Sequence, residues 1–416
     1  MSPRRRIGVT AAVATVAALA LAGCSGTSSS PSSPAAAGST ITVWADDTHI
    51  AALKTVVATF EKANNVTVKL IQKDGAKIVS DFIQQAPTGN GPDVFVTAND
   101  GTGNLVQNGV IAPITIPNES DYAKVGIDAV TYNGKTYGMP VSLESVALIQ
   151  NTALDPTTHD TFDQLLAAGN KLKAAGKVKY PFVVQSGTNG ASDPYHLYPL
   201  ETSFGVPVFG TSSAGGYDST DLQLGNAQGT KWAAQLAAWG KSGVLNPNYT
   251  YDIALNAFTS GQTPYIITGP WSLPKIQAAK IAYSVVKIPS AGGQPSQPFV
   301  GVQAFFVNKY SKNSLLANKF AVEYMGSEAA QVAFYKTGQR APALLSAFQS
   351  VSSDKDVTAF GAVSANGAPL PNIPAMNSVW ADWGNTEGAI IAGKAANPAT
   401  AWTTMVGSIK AAIAKG

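Results

Sequence analysis

The chain has one cysteine, Cys24, and only three histidines, His49, His159 and His196, in 416 residues. It has no internal disulfide to make, and no cluster of nitrogen and sulfur ligands for a metal is expected. Charge is scarce too: Asp, Glu, Lys and Arg make up 13% of the residues, which excludes a polyelectrolyte. Three of the 28 basic residues are Arg4, Arg5 and Arg6, and without them the basic residues balance the 25 acidic ones. No basic field is left to draw in nucleic acid, so none is expected as a partner. No Gly-x4-Gly-Lys-Ser/Thr phosphate loop occurs, so ATP hydrolysis would belong to another protein. No cofactor is expected, and the chain shows no internal repeat.

What the chain does have begins with an export pattern. Arg4–Arg6 precede an uncharged Ala, Val and Leu run from Ile7 to Ala20, short for a membrane span of roughly 20 residues. Leu21-Ala22-Gly23-Cys24 resembles a bacterial lipobox. That resemblance implies a signal peptide over 1–23, a lipid on Cys24, and a mature chain held at the extracytoplasmic face of the cell membrane. Residues 24–40, rich in Ser, Pro and Ala, have too little apolar surface to offset their ordering entropy and read as a disordered tether.

The rest is globular in composition, 45% apolar overall, and longer than one core usually supports, so two lobes are expected. Ile41–Trp44 reads as a strand. Ile50, Leu53, Val57 and Phe60 follow at helical spacing, Val66, Val68 and Leu70 alternate as a second strand, and Ile78 and Phe82 mark a second helix. Gly91-Pro92 introduces a third strand over Asp93–Ala98. Strand and helix alternating in this way predict a parallel sheet covered by helices. Asn133-Gly134 reads as a hairpin turn. It leads into a long extended run, Met139–Ile149, that carries Glu144 in its middle; a buried carboxylate needs partners, and a cleft is favoured for it over a structural pair. A second α/β region follows, with a helix over Phe162–Ala175, a strand over Pro181–Val184, and Trp232 and Trp239 as core.

Tyr265-Ile266-Ile267-Thr268 reads as a short buried strand that stops at Gly269-Pro270 and hands over to a helix. Trp271 then lies just beyond the carboxyl end of a strand, where open α/β sheets keep their ligands. Phe299–Val307 is another strand, and Leu315–Met325 a helix. Later, Leu370-Pro371-Asn372-Ile373-Pro374 enforces an extended approach to a helix that Asn377 or Ser378 can cap, with Trp380 and Trp383 on one face.

The order and spacing of Val43-Trp44, Gly-Pro-Asp-Val-Phe-Val, the run from Tyr132 to Ser145, Asp193-Pro194-Tyr195, Ile267-Thr268-Gly269-Pro270-Trp271, Gln297-Pro298-Phe299-Val300-Gly301-Val302 and Leu370–Trp380 resemble the extracellular solute-binding proteins of ABC sugar importers. Among these the chain is most similar to maltose/maltodextrin-binding proteins. The resemblance implies an α/β, two-lobed periplasmic-binding-protein-like fold of type II, with hinge strands near Glu144 and Val300. It places lobe 1 at 41–142 and 301–348 and lobe 2 at 143–300 and 349–416. It also implies no enzymatic activity, a monomer, and a maltose- or maltodextrin-type ligand delivered to an ABC permease. Trp271, Trp380 and Tyr195 match the family's stacking aromatics, and Asp47, Asp100 and Glu144 match carboxylates that bond sugar hydroxyls. Sugar rings present flat C–H faces to aromatic surfaces, and ionised carboxylates make strong hydrogen bonds, so the chemistry agrees.

The chain also departs from the pattern. Thr48, Thr97, Gly101 and Ala381 stand where the maltose binders carry Lys, Trp, Arg and Tyr, and Trp383 is the candidate to fill some of that space. A different di- or oligosaccharide, such as trehalose, is therefore the alternative ligand. From another class, a secreted glycoside hydrolase using Asp100 and Glu144 is the remote alternative.

Overall fold

Ile41, Val43 and Ala45 all turn inward from Thr40–Ala45, the strand on which the first lobe is built. It pairs in parallel with Thr67–Gln72 on one side and Val94–Ala98 on the other. The helix Asp47–Asn64 crosses between the first two, buries Ile50, Leu53, Val57 and Phe60, and is capped by Asp46, whose Oδ1 accepts from the His49 N–H at 2.9 Å. This computed structural model describes residues 38–187, 190–211 and 216–415. The expected signal peptide, Cys24 and the tether up to residue 37 lie outside the described residues. The last residues assigned to the tether already belong to the body: the Gly38 N–H donates to the Asn65 carbonyl at 2.9 Å, and Thr40 pairs with Thr67.

Phe299–Val307 completes the first sheet. It runs antiparallel to Val94–Ala98 on one side and to Gly138–Glu144 on the other, with a register shift between Gln303 and Ala304. Pro140 sits opposite Ala304 at that shift, which is how an internal strand accommodates a residue with no N–H to give. The Asn133-Gly134 turn joins Thr131–Tyr132 to Lys135–Thr136, both turn residues in the left-handed region with φ of 49° and 72°.

The extended run expected over Met139–Ile149 is two strands rather than one. Gly138–Glu144 ends in the first sheet, and after Ser145-Val146 the chain enters a second sheet as Ala147–Asn151. There it lies between Tyr283–Val286 and Tyr265–Thr268, antiparallel to both, and Tyr265–Thr268 pairs in parallel with Val183–Val184. Phe299 packs in the core of the second lobe with Trp232, Trp383 and Trp402, whereas Phe305 packs in the first with Val43, Val96 and Phe320. One strand thus runs from one core to the other, and it and the Glu144–Ala147 crossing are the hinge strands of a two-lobed fold. Ala368–Pro369 pairs in parallel beside Phe299-Val300.

Two local expectations differ from the structure. The segment Pro374–Ser378 is a 3-10 turn, and the helix Trp380–Ile391 follows it without a side-chain cap from Asn377 or Ser378. The helix over Leu315–Met325 is α-helical only at Ser314–Asn318 and continues as a π-helical turn over Lys319–Tyr324, which brings Phe320, Ala321 and Val322 into the core. Among the described residues no helix is long and apolar enough to cross a membrane.

Candidate functional site

Three strand ends and two helix starts converge on one cleft of about 790 Å³. Val94–Ala98 runs out into Asn99-Asp100-Gly101, Gly138–Glu144 delivers Glu144, and Tyr265–Thr268 runs into Pro270–Ser272, which presents Trp271. The helix Pro194–Thr202, capped by Asp193, carries Tyr195 in its first turn, and the helix Trp380–Ile391 begins with Trp380. Asp47, Asp100, Glu144, Tyr195, Trp271 and Trp380 all line this cleft, together with Thr48, Thr97 and Gly101. Trp383 does not. It is fully buried behind Trp380, ring on ring at 5.7 Å and 16°, so it backs the aromatic wall instead of filling the missing space.

The wall is continuous. Tyr195 lies 6.3 Å from Trp271 and 6.0 Å from Phe299, and Phe299 meets Trp380 edge-on at 6.0 Å. Its polar counterpart is acidic: Asp46, Asp47, Asp74, Asp100, Glu144 and Asp193 line the cleft, with Arg340 as its one guanidinium. Such a lining repels anions and accepts hydrogen bonds from hydroxyl donors.

Arg340 is the residue that the sequence reading missed. Its Nε donates to Glu144 Oε2, its Nη2 donates to Thr48 Oγ1 at 3.1 Å, and its guanidinium carbon lies 5.5 Å from the centre of the Trp271 ring. It lies against Thr48, so positive charge reaches this cleft from a different part of the chain. A signal was present: Arg340 is the only arginine after Arg6.

Both oxygens of Glu144 are engaged, since Gln303 Nε2 also donates to Oε1 at 2.6 Å. The expectation that Glu144 either faces a cleft or is paired resolves as both. Asp100 accepts from the indole N–H of Trp380 at 3.0 Å, and burial, opposed by that bond and reinforced by the charge of Glu144, raises its pKa. Burial, followed by the charge of Glu144, holds the Tyr195 phenol well above its ordinary pKa, so it stays neutral. Its Oη and the Oε1 of Gln303 are buried without a hydrogen-bond partner among the described residues. His196 is tied to Asp193 at 2.9 Å. Among the described residues no group of three or more His, Cys, Asp or Glu is placed to hold a metal.

An aromatic wall, fixed acceptors and two interlobe strands describe a site that holds a small neutral molecule. The model of the family described as bacterial extracellular solute-binding protein matches residues 55–361. The chain belongs to that family. The binding protein is 29% identical over 352 residues to the maltodextrin-binding protein of Bacillus subtilis, covering 82% of each chain. It is 28% identical over 376 residues to the galactooligosaccharide-binding protein of the same organism, covering 87% of this chain and 86% of that one. Among solved structures it is similar to the Thermus thermophilus maltotriose binding protein bound with maltotriose, with a TM-score of 0.82, 32% identity, and 90% and 100% of the two chains covered. These relatives bind and do not catalyse. The binding protein is not an enzyme, and the hydrolase alternative built on Asp100 and Glu144 falls with that finding.

Proposed function

We propose that this protein captures a maltodextrin-type oligosaccharide between its lobes and delivers it to an ABC permease as a monomer lipid-anchored through Cys24. The observation that carries the reading is that three aromatics, Tyr195, Trp271 and Trp380, and three carboxylates, Asp47, Asp100 and Glu144, line one cleft. Sugar rings lie on the aromatic faces, and their hydroxyls donate to the carboxylates. Arg340, Tyr195 Oη and Gln303 Oε1 supply the remaining polar contacts. The maltodextrin- and maltotriose-binding relatives support the choice of sugar. A lipoprotein relative in Streptococcus pneumoniae, a maltooligosaccharide ABC transporter solute-binding protein 28% identical over 352 residues, supports the anchor.

Binding at one lobe followed by bending of the hinge strands closes the cleft, because the closed form makes more contacts with the sugar. The substitution of smaller residues at Thr97 and Gly101, with the galactooligosaccharide-binding relative, favours a second reading in which the ligand is another oligosaccharide. Calorimetric titration with maltose, maltotriose, trehalose and a galactooligosaccharide decides between them. Saturable binding of maltotriose, lost in Trp271→Ala, supports the first; binding confined to the galactooligosaccharide selects the second. Silence with all four removes both.

A further inference from the structure

Two helices of the second lobe carry the same series of residues away from the cleft. On Pro194–Thr202 the series is Tyr195, Tyr198 and Glu201; on Trp380–Ile391 it is Trp380, Trp383 and Glu387. The first member of each lines the cleft. The second members meet edge to face, Tyr198 against Trp383, at 5.9 Å and 83°. The third members are glutamates with no exposed surface at all. They face each other, with the indole N–H groups of Trp232 and Trp383 and the Ser192 hydroxyl turned towards them. Of these donors only Trp232 makes a well-formed bond, to Glu387 Oε1 at 3.1 Å. Among the described residues, both oxygens of Glu201, Oε2 of Glu387, Nε1 of Trp383 and Oγ of Ser192 are buried without one.

Two ionised carboxylates cannot share such a site: each would be desolvated beside a like charge, and no buried cation offsets either. The other titratable groups near the pair are Asp193, bonded to His196, and Tyr198. Lys231, Lys241 and Lys410 of the packed helices are exposed. A single proton between the carboxyls turns the repulsion into a hydrogen bond.

We propose that Glu201 and Glu387 form a carboxyl pair sharing one proton, which clamps the two helices together and so sets the spacing of Tyr195 and Trp380 in the ligand cleft. Both are positioning residues. Sugar affinity then depends on the protonation of a pair that touches no sugar. This deepens the sugar-binding reading and rests on it for its ligand, but the clamp itself does not.

Burial pushes Glu387 up to about 8, and burial, followed by the charge of Glu387, holds Glu201 well above its ordinary value. A folded state that keeps protons the unfolded chain loses near pH 4.3 becomes less stable as pH rises from there to about 8. Loss of the shared proton at higher pH drives the helices apart.

The test uses wild type, Glu387→Gln and Glu387→Leu. Near-ultraviolet circular dichroism of the ligand-free protein, which reports the stacked tryptophans, is followed from pH 6 to pH 9.5, with calorimetric titration of maltotriose at both ends. In wild type the tryptophan signal changes above pH 8, and maltotriose affinity falls about tenfold. In Glu387→Gln, whose side-chain amide donates to Glu201 in place of the shared proton, both readouts stay flat at the wild-type pH 6 level. Glu387→Leu binds at least about tenfold more weakly at both ends. A wild-type tryptophan signal constant across the range, or one that changes equally in Glu387→Gln, overturns the proposal. If maltotriose fails to bind wild type at pH 6, the maltodextrin reading falls, and the ligand-free signal alone decides the clamp.

Discussion

The indole N–H of Trp380, on a helix of the second lobe, donates to the carboxylate of Asp100, on a loop of the first, across 3.0 Å. One of the proposed stacking aromatics is therefore bonded to one of the proposed sugar acceptors. Each fixes the other's orientation, and both are desolvated in the same wall. Trp380→Phe keeps an apolar face and removes the donor, while Trp380→Ala removes both. Titration should show Trp380→Ala losing about 2 kcal/mol or more in maltotriose affinity, roughly thirtyfold, with Trp380→Phe between it and wild type.

Arg340 and Glu144 form a buried ion pair with side chains only 7% and 8% exposed. Removing one partner leaves the other charge buried and uncompensated. Arg340→Ala should cost about 3–5 kcal/mol in urea unfolding. The double variant Arg340→Met with Glu144→Gln should recover most of that stability while still binding sugar weakly. Equal stability losses in single and double variants would show that the pair's charges are not the cause.

Trp383 makes a different contribution from the other tryptophans of this region. It is fully buried between Trp380 and Tyr198. Trp383→Ala should lower unfolding stability by about 3–5 kcal/mol through the cavity it leaves. Trp271→Ala, at the half-exposed cleft surface, should lower affinity with a much smaller effect on stability. Chemical denaturation paired with calorimetry separates the two.

Asp46 gives an acid-side prediction. Burial would raise its pKa, but the adjacent His49, through charge and a 2.7 Å contact, outweighs it with help from Arg340 and holds the carboxyl well below the ordinary range. A depressed folded-state pKa contributes stability above the unfolded value near 3.9, and that contribution disappears as pH falls below it. Between pH 5 and pH 3 the melting temperature of wild type should drop more steeply than that of Asp46→Asn, which keeps the helix cap but carries no charge.

The local periodicities carried most of the fold. The buried face of Asp47–Asn64, the Asn133-Gly134 turn and the nine-residue strand Phe299–Val307 could all be read from residue pattern, because each is decided by its own side chains. The break at Ser145-Val146 could not be read in this way, since an uninterrupted apolar run looks alike whether it serves one sheet or crosses between two. The same limit applied to the site. Trp271 and Trp380 announced themselves by position after a turn or at a helix start, and Tyr195 by the resemblance of Asp193-Pro194-Tyr195. Arg340 did not, because its place depends on Glu144 and Thr48, 196 and 292 residues away. Glu201 and Glu387 look like ordinary surface helix residues until Trp232 and Trp383 are packed over them.

The course of Phe299–Val307 also governs the order in which the chain can fold. A polypeptide that has emerged only as far as residue 298 has Val94–Ala98 and Gly138–Glu144 in hand but not the strand that joins them. Both remain open edges, prone to pairing with other chains, until that strand arrives. The amino-terminal lobe is made first and finished late. A chain caught in transit therefore exposes those two edges, whereas the sheet of the second lobe is complete by Val286.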